Sequence, residues 1–195
     1  MESSFSDPKF LAKLKKKDSN AIRELVEKYN VVLYRAALAQ LKNGEQSEEM
    51  VQSTWSAFFD AIDRFEGKSH IRTFLFGILY NKIKELFRHN KRFVNFEDPD
   101  PIIENMFDSS GFWKEAPETP EALLSGSESI DEVDECMNAL VEKQRMAFYL
   151  KEVVGEATQD ICNILDVSAT NLGVLIYRAK NQLRVCLEAK NITGV

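Results

Sequence analysis

The sequence predicts an all-α protein of two small helical domains joined by a flexible acidic linker. Apolar residues recur at three- and four-residue spacing in two blocks, one before residue 95 and one after residue 130. Between them the period fails, and Pro99, Pro101, Pro117 and Pro120 stand among acids and serines, a composition that resists a packed core. Near the end, a short amphipathic segment, a tight turn and a longer one follow helix-turn-helix spacing. The expected domains are residues 1–95 and 131–195, with the linker at 96–130.

Phe10 to Leu14 is the first, short helix. Ile22, Leu25, Val26, Tyr29, Val32, Leu33 and Ala36 form the stripe of a second, with Asp18 placed to cap its start. Ser47 followed by Glu48 and Glu49 suits another helix start, because an acceptor side chain and negative charge both satisfy free amides at the positive end. The inward stripe of that helix is Val51, Trp55, Phe58, Phe59 and Ile62. The next helix begins near Ser69 and carries Ile71, Phe74, Leu75, Ile78, Leu79, Ile83 and Leu86 on one side. Three or four helices make a compact bundle. Phe107, Phe112 and Trp113 interrupt the polarity of the linker and are expected to dock, on the chain's own domains or on a partner.

In the second block Val133, Met137, Leu140, Val141, Gln144, Ala147 and Phe148 read as one helix, with Gly155 as its left-handed stop. Thr158 to Leu165 is a short helix with Ile161 and Leu165 inward, Asp166 and Val167 turn tightly, and Ser168 caps a longer helix through Leu187. That helix is expected to bury Leu172, Ile176, Ala179 and Leu183. Thr170, Asn171, Tyr177, Arg178, Asn181 and Arg184 remain for outside contacts. Gly173, Val174 and Leu175 put apolar residues at the centre of a would-be recognition helix, so a purely packing hairpin fits the same spacing. Cys136, Cys162 and Cys186 are widely separated among apolar positions, without ligand spacing, and read as reduced packing residues.

The 195 residues carry a formal net charge of -6, which excludes uniform attraction to polyanions. Any nucleic-acid contact must be local. From Lys68 to Arg92 seven positive residues face Glu85 alone, while residues 93–135 set Lys114 against thirteen acids. Arg72, Phe76, Tyr80, Lys84 and Arg88 recur every four residues, so that cations can neutralise phosphates while each ring stacks on an exposed base for about 1–3 kcal/mol. Packing of Phe76 and Tyr80 against a neighbouring helix is the competing reading. His70 and His89 have no nucleophile beside them, and there is no HExxH, P-loop or GxGxxG pattern. The acids from Glu97 to Asp108 match no calcium loop. No enzymatic activity, catalytic residue, metal or cofactor is expected. No apolar run approaches the roughly twenty residues of a membrane span, and Met1 to Leu14 lacks a signal-peptide core, so a cytoplasmic protein is expected.

Three blocks together resemble the sigma-70 family of bacterial RNA polymerase sigma factors, in the extracytoplasmic-function (ECF, group IV) type built of regions 2 and 4. Glu48-Glu49-Met50-Val51-Gln52-Ser53-Thr54-Trp55 is similar to the segment of region 2 that grips the clamp helices of the beta-prime subunit. Phe65-x-Gly67-x-Ser69, Thr73-Phe74-Leu75-Phe76 and Asn81 resemble the segment that recognises and melts the minus-10 element. Gln144-Arg145, Thr158-x-x-Ile161-Cys162 and Tyr177-Arg178-Ala179-Lys180 resemble region 4, which reads the minus-35 element and meets the beta flap. The sequence departs from the pattern at Val141, Asp166 and Gly173-Val174-Leu175.

The resemblance implies an initiation factor that binds core polymerase through Glu48, Glu49, Gln52 and Trp55. It places the minus-10 strand on Lys68, Arg72, Phe76, Tyr80, Asn81, Lys84 and Arg88. The minus-35 duplex falls to Ser168, Thr170, Asn171, Tyr177, Arg178, Lys180 and Arg184. Phosphodiester chemistry then belongs to the core enzyme. Anti-sigma factors are usual partners of such proteins, and one is expected to cover Val174 and Leu175 or wedge between the domains. A helix-turn-helix regulator, or a sigma-like protein that does not itself initiate, is the alternative. A linker this acidic suits a chain that threads a basic RNA channel and is displaced by the growing transcript. Neutralising Glu97, Asp98, Asp100 and Glu104 is expected to change the ratio of abortive to full-length transcripts; unchanged initiation and promoter escape would refute the idea.

Overall fold

Each long helix of the amino-terminal half starts where a side chain satisfies amides that no helical carbonyl can reach. A computed structural model describes residue 5, residues 7–89 and residues 130–193, with side chains placed from 133 to 190 in the second stretch. Residues 96–129 of the predicted linker, with Phe107, Phe112 and Trp113, lie outside the described residues. The chain divides into two compact units, Met1–Phe93 and Val94–Val195.

The first unit contains α1 (Pro8–Lys15), α2 (Ser19–Leu41), α3 (Gly44–Ala61) with a 3-10 turn at Ile62–Arg64, and α4 (Ile71–His89). Asp7 Oδ1 accepts from the Lys9 N–H at 2.7 Å, and Pro8 follows at the first helical position, where a missing N–H is no loss. Asp18 Oδ1 accepts from the N–H groups of Asn20 at 3.1 Å and Ala21 at 2.9 Å, as the sequence suggests. The start expected at Ser47 is corrected. Helix α3 begins a turn earlier, where Asn43 Oδ1 accepts from the Gln46 N–H at 2.9 Å. Ser47 is buried inside the helix, and its hydroxyl donates to the Asn43 carbonyl at 2.6 Å. Asparagine is an equally good cap, and the backbone can turn there because Lys42 adopts the left-handed region at φ 54°.

Helices α2, α3 and α4 pack on one another around Leu25, Leu33, Phe58, Leu75, Leu79 and Ile83, all essentially without solvent contact. Burying each such side chain contributes about 1.5–3 kcal/mol.

The second unit contains α5 (Ile130–Ala139), α6 (Glu142–Phe148), a π-helical turn at Tyr149–Val153, α7 (Thr158–Leu165) and α8 (Ala169–Thr193). The single helix expected from Val133 to Phe148 is two, because Val141 is extended (φ -62°, ψ 142°) and α6 restarts after it. Both halves keep the same inward stripe, so periodicity could not reveal the break. The half-buried Arg145 spans the break by donating from Nη2 to the Leu140 carbonyl at 2.8 Å, and its partial burial pulls its guanidinium below its ordinary pKa. Gly155 is left-handed at φ 75°, and Asp166, at φ 53°, closes α7 into the turn before α8. Ser168 Oγ accepts from the Asn171 N–H at 3.1 Å, as a helix cap should.

The reading of three reduced cysteines is also corrected. Cys136 on α5 and Cys186 on α8 are joined by a disulfide, with Cα atoms 5.7 Å apart and 50 residues between them in sequence. Only Cys162 is a free thiol among the described residues; it is buried, and loss of solvation raises its pKa. Spacing along the chain cannot report that α5 lies against the far half of α8.

All described elements are helical, without a strand among the described residues, which agrees with the all-α prediction. No helix among them is long and apolar enough to cross a membrane. Replacing Asp18 by Ala removes two capping bonds and is expected to lower stability by about 1 kcal/mol, read as a shift of the urea midpoint.

Candidate nucleic-acid interface

Gly67 shapes the turn that feeds α4. Its φ of 73° is one that L side chains rarely adopt, and a Cβ there would lie 3.2 Å from the Leu11 side chain. The turn lets Phe65 stack on Phe74, with ring centroids 4.6 Å apart and planes 19° apart. Beside these rings lies an open cavity of about 390 Å³, lined by Ala61, Arg64, Phe65, Lys68, Ser69 and Phe74 among others. It has an apolar wall and a rim of net positive charge, where Arg64 and Lys68 outnumber Glu66. Lys68 pairs with Glu66 at the surface, and because both are well exposed the pair is weak and easily exchanged. His70 Nδ1 accepts from the Arg72 N–H at 3.1 Å, closing the first turn of α4.

The four-residue ladder on α4 does not occupy one exposed face. Each four-residue step turns by about 40° around a helix, so the path from Arg72 to Arg88 crosses nearly half the circumference. Phe76 and Tyr80 lie in the core at 2 % and 4 % exposure, which corrects the expectation of exposed rings ready to stack on bases. Asn81 and Arg88 are exposed, and Arg72 and Lys84 are half-buried. The ladder therefore enters the core at its rings and leaves it at its cations. Lys91 and Arg92, the last members of the basic run, lie outside the described residues.

On α3, Glu48, Glu49 and Gln52 are exposed on one face, and Glu45, one turn before Glu49, continues it. The three- and four-residue spacing that identifies the others would have found Glu45. Trp55 is not part of that surface. It is 8 % exposed, its indole N–H donates to Asn30 Oδ1 on α2 at 3.0 Å, and its ring meets Phe58 edge-on at 5.9 Å.

In the second unit, Ser168 and Arg184 are exposed, while Thr170, Asn171, Tyr177, Arg178 and Lys180 are half-buried along α8. Lys180 Nζ lies 2.9 Å from Glu152 Oε1, and Arg184 Nε lies 3.9 Å from Glu188. Each cation thus has an acidic neighbour that a phosphate would have to replace. Val174 and Leu175 are 2 % and 1 % exposed, and Gly173 is buried too. The expectation that these apolar residues stand exposed, ready for an antagonist, is corrected; they complete the core, while the expected core residue Ile176 is only half-buried. No cluster of metal-ligating side chains occurs among the described residues.

Comparison with known proteins matches sigma-70 region 2 to residues 25–93 and sigma-70 region 4 to residues 130–183. A probable RNA polymerase sigma factor of Haemophilus influenzae is 30% identical over 182 residues, covering 88% of this chain and 92% of that one. The ECF RNA polymerase sigma-E factor of Escherichia coli K12 is 27% identical over 183 residues, covering 94% and 95%. Among solved structures, CnrH in complex with the cytosolic domain of CnrY is similar with a TM-score of 0.66 at 22% identity, over 94% of this chain and 98% of that one. The sigma factor RpoE of Bartonella quintana, in complex with the anti-sigma factor NepR, gives 0.63 at 22% identity, over 86% and 96%. At these identities the structural likeness speaks for the fold.

Core and surface members of α4 separate by experiment. Phe76→Ala is expected to cost about 3–5 kcal/mol in urea unfolding. Lys84→Ala and Arg88→Ala should stay within about 0.5 kcal/mol of the parent, yet each should lower the salt dependence of single-strand binding by about 0.7 in log–log slope.

Proposed function

The chain belongs to the sigma-70 family of RNA polymerase sigma factors, in its ECF group, and on that premise we propose how its two units divide the work of starting transcription. The family consists of transcription factors rather than enzymes. Its activity is that of an initiation factor, which binds core RNA polymerase and directs it to promoters.

The observation that carries the division of labour is the separation of charge within the first unit. Helix α3 offers an acidic face of Glu45, Glu48, Glu49 and Gln52, and the turn before α4 offers a cationic rim around an apolar cavity. The acidic face is assigned to core polymerase. Trp55 supports it from beneath, holding α3 to α2 through Asn30. The opened minus-10 strand is assigned to Lys68, Arg72, Asn81, Lys84 and Arg88, whose cations follow the phosphates. An unstacked base enters the cavity beside Phe74, where a π-face and a cation meet it together. Phe76 and Tyr80 serve as positioning residues, anchoring α4 so that its basic edge stays aligned.

The second unit is assigned to the minus-35 duplex. Ser168, Thr170 and Asn171 stand at the start of α8, where a recognition helix meets base edges, and Tyr177 and Arg178 follow about two turns on. Lys180 and Arg184 neutralise phosphates once their acidic neighbours are exchanged. The work is placed in the cytoplasm, with core polymerase and promoter DNA as partners and an anti-sigma factor as the antagonist. Such an antagonist finds Val174 and Leu175 already covered, so its contacts lie elsewhere.

The test mixes the purified chain with bacterial core RNA polymerase and genomic DNA fragments and sequences the run-off transcripts. Discrete new start sites with paired upstream elements are expected. Glu48→Lys with Glu49→Lys should abolish core binding and leave the fold intact by circular dichroism. Failure of the parent chain to bind core would overturn the reading in favour of a free-standing helix-turn-helix regulator.

A further inference from the structure

We propose that Cys136 and Cys186 are a thiol–disulfide switch that clasps the first and last helices of the second unit and strengthens its grip on duplex DNA when oxidised. The bond joins α5 to α8 across 50 residues. The loop it closes contains α6, α7 and most of α8, and so every side chain assigned above to the minus-35 duplex. Both sulfurs sit in one apolar cluster with Met137, Leu140, Ala179, Leu183 and Leu187.

Two further contacts hold the same helices together without the bond. Lys190 Nζ pairs with Glu135, one residue from Cys136 and one turn from Cys186. Gln182 Nε2 donates to the Ala139 carbonyl at 3.0 Å. With the disulfide reduced, the thiols therefore remain in reach of each other, as a reversible switch requires. In a cytoplasm, where thiols are kept reduced, such a pair is the exception that senses oxidation rather than a permanent staple.

Access orders the steps. Cys186 is half-buried and Cys136 has no solvent contact. The Cys186 thiolate attacks a sulfur of a small-molecule disulfide, such as glutathione disulfide, and one glutathione thiolate leaves. Cys136, once deprotonated, attacks Cys186 Sγ in the mixed disulfide and displaces the second. Two protein thiols are oxidised, one disulfide is reduced, and the two protons end on the two released thiols. Cys162 stays out of the exchange because it is buried and its thiol holds its proton. The closed loop restricts the unfolded ensemble, so the oxidised unit samples fewer open states and presents the face of α8 more constantly.

The effect on DNA rests on the initiation reading; the thiol chemistry does not. The full chain is equilibrated in glutathione buffers from reducing to oxidising, unfolded with an alkylating agent, and weighed. Three alkylated cysteines are expected at the reducing end and one at the oxidising end, with a rise in Tm on the order of 10 °C. Duplex promoter binding should strengthen several-fold over the same change, and neither shift should occur in Cys186→Ser. Three free thiols throughout, or a single free thiol even at a cytosolic glutathione ratio, would overturn the switch. So would promoter binding that ignores the thiol count, or a Cys186→Ser variant that still responds. Promoter binding is read on the chain bound to core RNA polymerase; if the parent chain binds no core in any buffer, the initiation reading falls, and the thiol count alone then decides the switch.

Discussion

Helix α4 must bury side chains around more than half of its circumference and still present a row of cations. It meets both α2 and α3, and Ile71, Leu75, Phe76, Leu79, Tyr80 and Ile83 are all withdrawn from water. Hydrophobic burial on that scale fixes the rotation of the helix, because turning it by one residue would expose several of these side chains and bury charge without a partner. Whatever the unit does with polyanions is confined to the arc that remains. Phe76 and Tyr80 thus decide where Lys84 and Arg88 can be, without any need to touch a ligand themselves.

The same economy governs charge. A chain that is acidic overall still offers a local positive surface, because its cations are concentrated between Lys68 and Arg92 while α3 carries Glu45, Glu48 and Glu49 on its outer face. Local potentials steer partners more than net charge does, since interactions are screened over about 8 Å at physiological salt. Gly67 links the two surfaces in structural terms. Its left-handed backbone lets the chain leave the 3-10 turn, pass Leu11 closely and stack Phe65 on Phe74 beside the cationic rim.

In the second unit one helix serves two masters. The 25 residues of α8 complete the core with Leu172, Val174, Leu175, Ala179, Leu183 and Leu187, and its polar side chains fill the positions between them. In solvent, the apolar run at Gly173, Val174 and Leu175 would weaken a reading helix, because it offers base edges few hydrogen bonds. Buried, it is the packing that holds Thr170, Asn171, Tyr177 and Arg178 in place, and Lys180 is held in turn by Glu152. The far half of α8 is committed to α5 through the cysteine pair and the Lys190–Glu135 contact, where the hydrogen bond from Lys190 holds the Glu135 carboxyl below its usual pKa.

Residue period and local capping chemistry sufficed to determine the helical class, the cap at Asp18, the helix-turn-helix between Thr158 and Ser168 and the left-handed stop at Gly155, because these depend on neighbours within a few residues. The motif blocks determined the family for a similar reason, since side chains are read in order along one helix face. What the tertiary structure decided is which of two possible faces each aromatic residue takes. Trp55, Phe76 and Tyr80 fit a core and a binding surface equally well by spacing, and only the positions of α2 and α3 send them inward. It also decided which separated residues meet. Cys136 with Cys186, Trp55 with Asn30, and Lys180 with Glu152 are pairs made by helix packing, and no local preference encodes a contact between residues that only the folded chain brings together.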